Sequence, residues 1–260
     1  MGNPKQQQWI QEFFGGPEDF YGTAYSGLGT FEKKDAVKEV EGVLKMLNPE
    51  PGSHLLDWCG GWGRHAIEFS RRGYRVTLLD ITKQYLEQAA GMAEQEGVTL
   101  TCVHADFRET PKEIQADYAV NLFSAGLGYL SEEDDRRALN SLLCALKRGG
   151  KLIIDTMNLF WMIRNFQEYS WRESRDCTQR YLQHRTFDFW TNTEHSENTY
   201  ESALLVYPLK RETHLHVYAP ADLARVLRKA GFKPLEIFGD YDGSPFGLTS
   251  KRLIMTAVRP

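Results

Sequence analysis

Ser53-His54-Leu55-Leu56-Asp57-Trp58-Cys59-Gly60-Gly61-Trp62-Gly63-Arg64-His65 is the stretch that decides the fold. Leu55-Leu56 closes a short apolar run that reads as a buried strand. Asp57 stands where the strand stops, glycines follow at once, and a helical pattern opens at His65-Ala66-Ile67-Glu68-Phe69. Glycines let a backbone turn sharply and approach a ligand with no Cβ in the way. The N-terminus of the helix behind them offers unpaired N–H groups to an oxygen-rich group. Strand, carboxylate, glycine turn and helix together predict a pocket for a nucleoside-bearing cofactor. Gly61-Trp62-Gly63-Arg64-His65-Ala66 also fits the dinucleotide fingerprint G-x-G-x-x-G/A, with Asp80 as the ribose-binding acid.

The chain has 260 residues, a hydrophobic fraction of 42% and a formal net charge of -4, with a pI near 6.0. That length holds one large domain, or a domain of about 150–200 residues with an elaboration. The charge gives no general attraction to polyphosphate and argues against a nucleic-acid partner. The basic pairs Arg71-Arg72, Arg136-Arg137, Lys147-Arg148 and Lys210-Arg211 are scattered, and three of the four fall near expected helix C-termini, where cations suit the helix dipole. Cys59, Cys102, Cys144 and Cys177 are far apart, with no C-x-x-C and no metal spacing, so free thiols in a reducing cytosol and no metal centre are expected. The N-terminus lacks a signal-peptide layout, and Gln6 stands where a myristoylation signal needs Ser or Thr. No apolar run approaches the ~18 residues of a membrane helix. A cytoplasmic protein is expected.

Residues 9–29 are rich in aromatics and glycine, including Trp9, Phe13, Phe14, Phe20, Tyr21 and Tyr25, which suggests a helix around 6–14 and a glycine-hinged lid or packed arm. Phe31 to Leu47 reads as a helix with Val37, Val40, Leu44 and Leu47 on one stripe. Five strands then alternate with helices: one ends at Asp57, one at Asp80, one at His104 before Asp106, one at Phe123, and one at Asp155. Gly73 and Gly97 end two of the helices, and Thr82 is placed as a helix cap. Such alternation predicts a mostly parallel sheet covered on both faces, with ligands beyond the carboxyl ends of the strands. Residues 157–219 break the pattern and read as an inserted antiparallel sheet of about three strands, at Arg180 to Trp190, Tyr200 to Leu209 and Thr213 to Tyr218. After a helix from Pro220 to Gly231, two strands are joined by a loop, Gly239 to Gly247, too short for a crossover helix, so the last strand must run antiparallel. The expected architecture is a doubly wound α/β fold, Rossmann-like, with a mostly parallel seven-stranded sheet, an antiparallel last strand and a small antiparallel β insertion. The expected divisions are 1–30 as lid or arm, 31–158 with 219–260 as the main domain, and 159–218 as an inserted substrate or oligomerisation subdomain.

DWCGGWGRH, LLD, HADF, NLFSAGLGY and the ending GDYDGSPFGLTSKRL resemble the class I adenosylmethionine-dependent methyltransferases, in their small-molecule branch. The resemblance covers nearly the whole chain, and that family also adds an antiparallel seventh strand. It implies S-adenosyl-L-methionine as cofactor, with Gly61 and Gly63 letting the backbone approach the methionine part and Asp57 fixing the loop. It implies Asp80, followed by Ile81, at the ribose, Asp106 and Phe107 at the adenine, and Leu122 and Phe123 as the wall near the sulfonium. Cys59 departs from the family's glycine pattern; a left-handed conformation there would cost on the order of 1–3 kcal/mol, unless the neighbouring glycines absorb the turn. Arg64 is expected to brace the loop. Tyr21, Tyr129, Trp161 and Tyr241 are candidate acceptor-lining residues. No general base is singled out; His195, His214 and His216 fall in the insertion, the last two on one face of a strand.

The fourth strand carries Asn121-Leu122-Phe123-Ser124 in place of the Asp/Asn-Pro-Pro-aromatic motif of nucleic-acid amino-methyltransferases, and no paired-glutamate loop of protein arginine methyltransferases is present. The expected function is transfer of a methyl group to nitrogen or oxygen of a small molecule by in-line displacement. The insertion allows a homodimer contact. Two rivals remain: an NAD(P)-dependent oxidoreductase, for which the antiparallel ending is an awkward fit, and a non-catalytic adenosylmethionine-binding protein on the same fold.

Overall fold

The computed structural model describes residues 4–15, 19–27 and 33–260. They fall into two compact units, the larger formed by 33–127, 132–163 and 218–260. Its strands are β1 (His54–Trp58), β2 (Arg75–Asp80), β3 (Thr101–His104), β4 (Ala116–Asn121), β5 (Leu146–Met157) and, after the inserted sheet, β10 (Lys233–Phe238) and β11 (Arg252–Val258). They form one sheet in the order β3-β2-β1-β4-β5-β11-β10. The first five are parallel, and β11 runs antiparallel to both of its neighbours. The seven strands, the antiparallel ending and the separate antiparallel sheet are as expected. In β1 every residue after His54 is buried, which is why it reads as an unbroken apolar run around Asp57.

Helices α3 (Lys33–Leu47), α4 (Arg64–Arg71), α5 (Lys83–Gln95), α6 (Glu132–Ala145) and α8 (Pro220–Lys229) belong to this unit. Residues 31 and 32, part of the expected first long helix, lie outside the described residues. The buried stripe of α3 is Ala36, Val40, Val43 and Leu47. It is turned slightly from the expected one, so that Val37 and Leu44 only flank the core. Val40, Val43 and Leu47 pack with Leu55, Phe69, Leu78, Val120 and Ile153, which joins the helix to the middle of the sheet. Burying side chains of this size contributes roughly 1.5–3 kcal/mol each. Thr82 occupies the cap position of α5, but its hydroxyl makes no capping bond and faces Asp80 instead. Tyr218, 2% exposed, donates its hydroxyl to Asp135 Oδ2 at 2.6 Å. Tyr218→Phe leaves that buried carboxylate short of a donor and should destabilise by about 1–3 kcal/mol in urea unfolding; a loss under ~0.5 kcal/mol would contradict this reading of the bond.

The smaller unit gathers the described residues up to Gly27 with 128–131 and 164–217. Its sheet has four antiparallel strands, β6 (Tyr169–Glu173), β7 (Gln179–Asp188), β8 (Thr193–Ser202) and β9 (Leu209–His216), in that order. The sequence suggested about three. β6 is short and largely exposed, and β8 reads Thr-Glu-His-Ser-Glu-Asn-Thr-Tyr-Glu-Ser, too polar for an alternating pattern to show. Pairing along the whole length of β7, from Gln179↔Ser202 to Asp188↔Thr193, is what defines it. Tyr200 to Leu209 is therefore no strand; β8 stops at Ser202 and β9 starts at Leu209.

Of the N-terminal aromatic stretch, α1 (Pro4–Phe13) is near its expected place, but the expected glycine hinge holds a second helix, α2 (Phe20–Gly27). Asp19 starts it by accepting the N–H groups of Gly15 at 3.0 Å and Gly22 at 3.1 Å. Phe20 is fully buried and anchors it. Gly16 and Gly29 and the side chain of Tyr25 lie outside the described residues. Trp9, Phe13, Phe20, Tyr181 and Tyr200 form the core of this unit.

Candidate active site

The sheet reverses strand order between β1 and β4, and the acids and loops of interest stand at the carboxyl ends of the strands there. Asp57 is 1% exposed at the end of β1. Cys59 follows at φ 63°, Gly61 at 56° and Gly63 at 75°, so three left-handed residues turn the chain into α4. A Cβ at Gly61 would meet open space, so the peptide there is approachable from outside. A Cβ at Gly63 would press on Ala89 and Leu78 at 3.0 Å, so this glycine also serves packing. Gly60 is not left-handed, so the doubled glycine does not absorb the turn and Cys59 takes the strain. Cys59→Gly should raise stability by about 1 kcal/mol with a matching rise in Tm; an unchanged or lower Tm would show that the thiol contributes packing of equal size.

Asp80, at the end of β2, closes the loop. Its Oδ2 accepts the Gly61 N–H at 2.9 Å and its Oδ1 the Thr82 N–H at 2.8 Å. Burial raises its pKa, and those two N–H groups work against the rise. Burial also pushes Asp57 up, from 3.8 to about 7; the Arg64 guanidinium pulls it down and the Asp80 charge pushes it further up. Asp57 Oδ2 is buried without a hydrogen-bond partner. Such an oxygen beside an approachable peptide fits a ligand that brings a donor or a positive charge. Arg64 meets Glu39 Oε2 at 2.6 Å, as does His65, which is a bracing arrangement around the loop.

Ile81 follows Asp80 and is half exposed, offering an apolar surface. Asp106 stands just beyond β3 and caps the single turn Phe107–Glu109 by accepting the Arg108 N–H at 2.8 Å. Arg108 Nε and Nη2 also bind its carboxylate, while Arg108 Nη1 reaches Asp134 at 3.0 Å. Burial would raise Asp106, but Arg108 outweighs it and holds the carboxyl below the usual range. Phe107 is buried and its ring lies 5.4 Å from that of Trp58.

Leu122, after β4, is buried, and Phe123 presents its ring 37% exposed. Arg64 and Arg252 lie over that ring at 5.0 and 5.3 Å, within cation–π range. Phe123 and Ser124 are left-handed, at φ 65° and 58°. Three residues that the sequence did not single out hold this corner. Asn121 donates to the Trp58 and Ala125 carbonyls at 2.9 and 2.8 Å, tying the ends of β1 and β4 together. Asp155 and Arg252 meet beneath Phe123. The available signal was a polar residue inside each of the apolar runs ending β4 and β5.

The acceptor-lining candidates separate. Tyr21 and Tyr129 lie in the smaller unit, each against Phe14, at 4.9 and 5.5 Å between ring centroids. Trp161 is half-buried on α7 (Leu159–Arg164) in the larger unit. Tyr241 is in the larger unit too, with its hydroxyl donated to Asp155 Oδ2 at 2.5 Å. His195 and His214 face each other across β8 and β9, Nδ1 to Nδ1 at 2.6 Å, and His216 Nδ1 bonds the Thr191 carbonyl. Burial lowers the His214 pKa, and the His195 charge adds to that.

Among the described residues no group of three or more His, Cys, Asp or Glu could hold a metal ion. No helix among them is long and apolar enough to cross a membrane. Many of the paired cations are engaged: Arg71 and Arg72 with Glu68, Arg136 with Glu133, Arg137 with Glu109 and Lys147 with Asp117.

A parallel sheet with an antiparallel seventh strand, carrying a glycine turn and acids at successive strand ends, is an α/β fold of the kind the sequence predicted. Residues 55–150 match the family model described as a methyltransferase domain. Glycine/sarcosine N-methyltransferase of Aphanothece halophytica is 31% identical over 122 residues, 46% of each chain. The tRNA 5-carboxymethoxyuridine methyltransferase of Escherichia coli K12 is 28% identical over 136 residues, 52% of this chain and 50% of that one. The chain thus spans about half the length of these curated relatives. A crystal structure of an S-adenosylmethionine-dependent methyltransferase from Clostridium acetobutylicum superposes with a TM-score of 0.77 at 13% identity, over 94% of this chain and 99% of that one. Over residues 55–150 the chain is similar to the methyltransferase domain family, and its fold is the one shared by the S-adenosylmethionine-dependent methyltransferase on which it superposes.

Proposed function

We propose that this protein transfers the methyl group of adenosylmethionine to a nitrogen or oxygen of a small molecule. The observation that carries the cofactor part is the buried Asp80, which clasps the Gly61 peptide beneath a left-handed turn while Asp57 keeps an unpartnered oxygen alongside. In this reading Gly61 and Gly63 admit the methionine part, Asp57 faces its positive end, and Asp80 takes the ribose hydroxyls. Ile81 and Phe107 pack on the adenine. Asp106 has its carboxylate given over to Arg108, so its part is to set the turn that presents Phe107. Leu122 and Phe123 form the wall near the sulfonium.

Adenosylmethionine, when bound, supplies an activated methyl on a positively charged sulfur. What the chain adds is orientation and exclusion of water, and orientation of this kind is worth roughly 7–11 kcal/mol of barrier. Tyr21, Tyr129, Trp161 and Tyr241 are the candidate residues for acceptor recognition. Exposed apolar side chains of the insertion, Trp190, Leu204, Val206 and Tyr207, suit a contact with a second copy. Four free thiols accord with a cytosolic location.

A small acceptor is favoured by the net charge of -4 and by the ion pairing of the clustered cations, which leave little basic surface for a polyanion. The relative that acts on glycine and sarcosine points the same way, and the tRNA methyltransferase supplies the second reading. The test is release of adenosylhomocysteine on small amines and alcohols, glycine and sarcosine among them, beside unmodified tRNA. Turnover on a small amine or alcohol supports the proposal. Turnover on tRNA alone transfers the assignment to RNA, and cofactor binding with no product from any acceptor favours a non-catalytic role.

A further inference from the structure

The carboxylate of Asp155 sits inside the central sheet, on β5, and is 0% exposed. Three chain segments converge on this residue. The Phe123 N–H donates to its Oδ2 at 2.8 Å, and the Tyr241 hydroxyl reaches the same oxygen at 2.5 Å. Arg252 donates Nε to Oδ1 and Nη2 to Oδ2, both at 2.6 Å. The Ser124 N–H goes to the Asp155 main-chain carbonyl at 2.9 Å. Ser124 Oγ in turn accepts the Met157 N–H at 3.1 Å.

A plain ion pair joining β5 to β11 would be superfluous, because the two strands are already in register from Arg252↔Met157 to Val258↔Lys151. An apolar pair would fill that space at no desolvation cost. What an apolar residue could not do is accept the Phe123 N–H. The loop itself shows why that matters. Phe123, Ser124, Gly126 and Gly128 are all left-handed, yet only the last two are glycines. At the first two positions side chains are kept in a conformation that glycine would adopt without strain.

We infer that Asp155 is a positioning residue for methyl transfer, holding Phe123 and Ser124 left-handed so that the Phe123 ring stands at the end of β4. Tyr241 and Arg252 act through it, Tyr241 by fixing Oδ2 and Arg252 by supplying the counter-charge while covering the other side of the corner. The inference rests on the reading of this loop as the cofactor wall.

The test combines backbone chemical shifts with calorimetry of adenosylhomocysteine on the full chain, for wild type and Asp155→Asn. Wild type should give left-handed 13Cα and 13Cβ shifts at Phe123 and Ser124. Asp155→Asn should lose them at Phe123, keep the amide signals of the sheet, and bind adenosylhomocysteine about tenfold more weakly. Retained left-handed shifts in the variant would overturn the inference, and so would lost shifts with unchanged affinity. Should Asp155→Asn fail to fold, Tyr241→Phe removes one bond to the same oxygen and should move both readouts in the same direction by a smaller amount; no movement in either would overturn it. Failure of the wild type to bind adenosylhomocysteine would sink the cofactor reading, while the shifts would still decide whether Asp155 holds the loop.

Discussion

Asp80→Ala should lower the affinity for adenosylmethionine and adenosylhomocysteine by about 100-fold or more, because two losses fall on one site. The carboxylate accepts the Gly61 and Thr82 N–H groups, and hydrogen bonds to a charged group contribute about 1.5–3 kcal/mol each. Without it the Gly61 peptide loses its fixed direction, and in the proposed reading the ribose hydroxyls lose their acceptor. Asp80→Glu keeps the charge but moves it by one methylene, and should retain part of the affinity while falling well short of wild type. Calorimetry checks both, with circular dichroism to confirm the fold. A loss under ~3-fold for Asp80→Ala would mean that the ribose is held elsewhere.

Asp57→Asn should move stability and binding in opposite directions. Burial raises Asp57 from 3.8 to about 7, so in the folded state it stays protonated over a range where the unfolded chain has already released its proton. Between those values the unfolded state binds fewer protons, and stability falls as pH rises through the window, then levels off above about 7. The asparagine variant lacks this titration. Its stability relative to wild type should therefore grow from pH 4 to 7, reaching a gain of about 1–3 kcal/mol at pH 8. Affinity for adenosylmethionine should fall at the same time, by at least ~10-fold, because the unpartnered Oδ2 is the group expected to meet the positive end of the cofactor. Urea unfolding across pH with parallel calorimetry measures both. A variant that is no more stable at pH 8 than at pH 4, relative to wild type, would contradict the assignment of a buried, protonated Asp57.

The reach of the sequence was set by how local each feature is. Asp57 and Asp80 stood out as strand-end acids because each follows directly on an apolar run, and Asp106 because it lies just past an alternating strand. The antiparallel ending was legible because the loop after Phe238 is too short to return the chain for a parallel pairing. β8 was not, since its stability comes from pairing with β7 and its own residues show no apolar alternation. α2 hid behind glycines, started by the Asp19 carboxylate and by burial of Phe20. At the site, the Asp155, Arg252 and Tyr241 cluster joins residues far apart in the chain, so a polar residue in the apolar run of β5 marks Asp155 but not its partners. The left-handed Phe123 and Ser124 escaped for a related reason, since non-glycine residues give no sign of such a conformation. Cys59 was the exception, because the resemblance marked its position as one where glycine is usual.

Adenosylmethionine, adenosylhomocysteine and NADH titrated in parallel into the wild-type chain by calorimetry give the most direct test of the central claim. Binding of the first two and not of NADH is the predicted result. Binding of NADH alone would return the Gly61–Ala66 turn to the dinucleotide reading and remove the assignments of Asp57, Asp80 and Phe123 together.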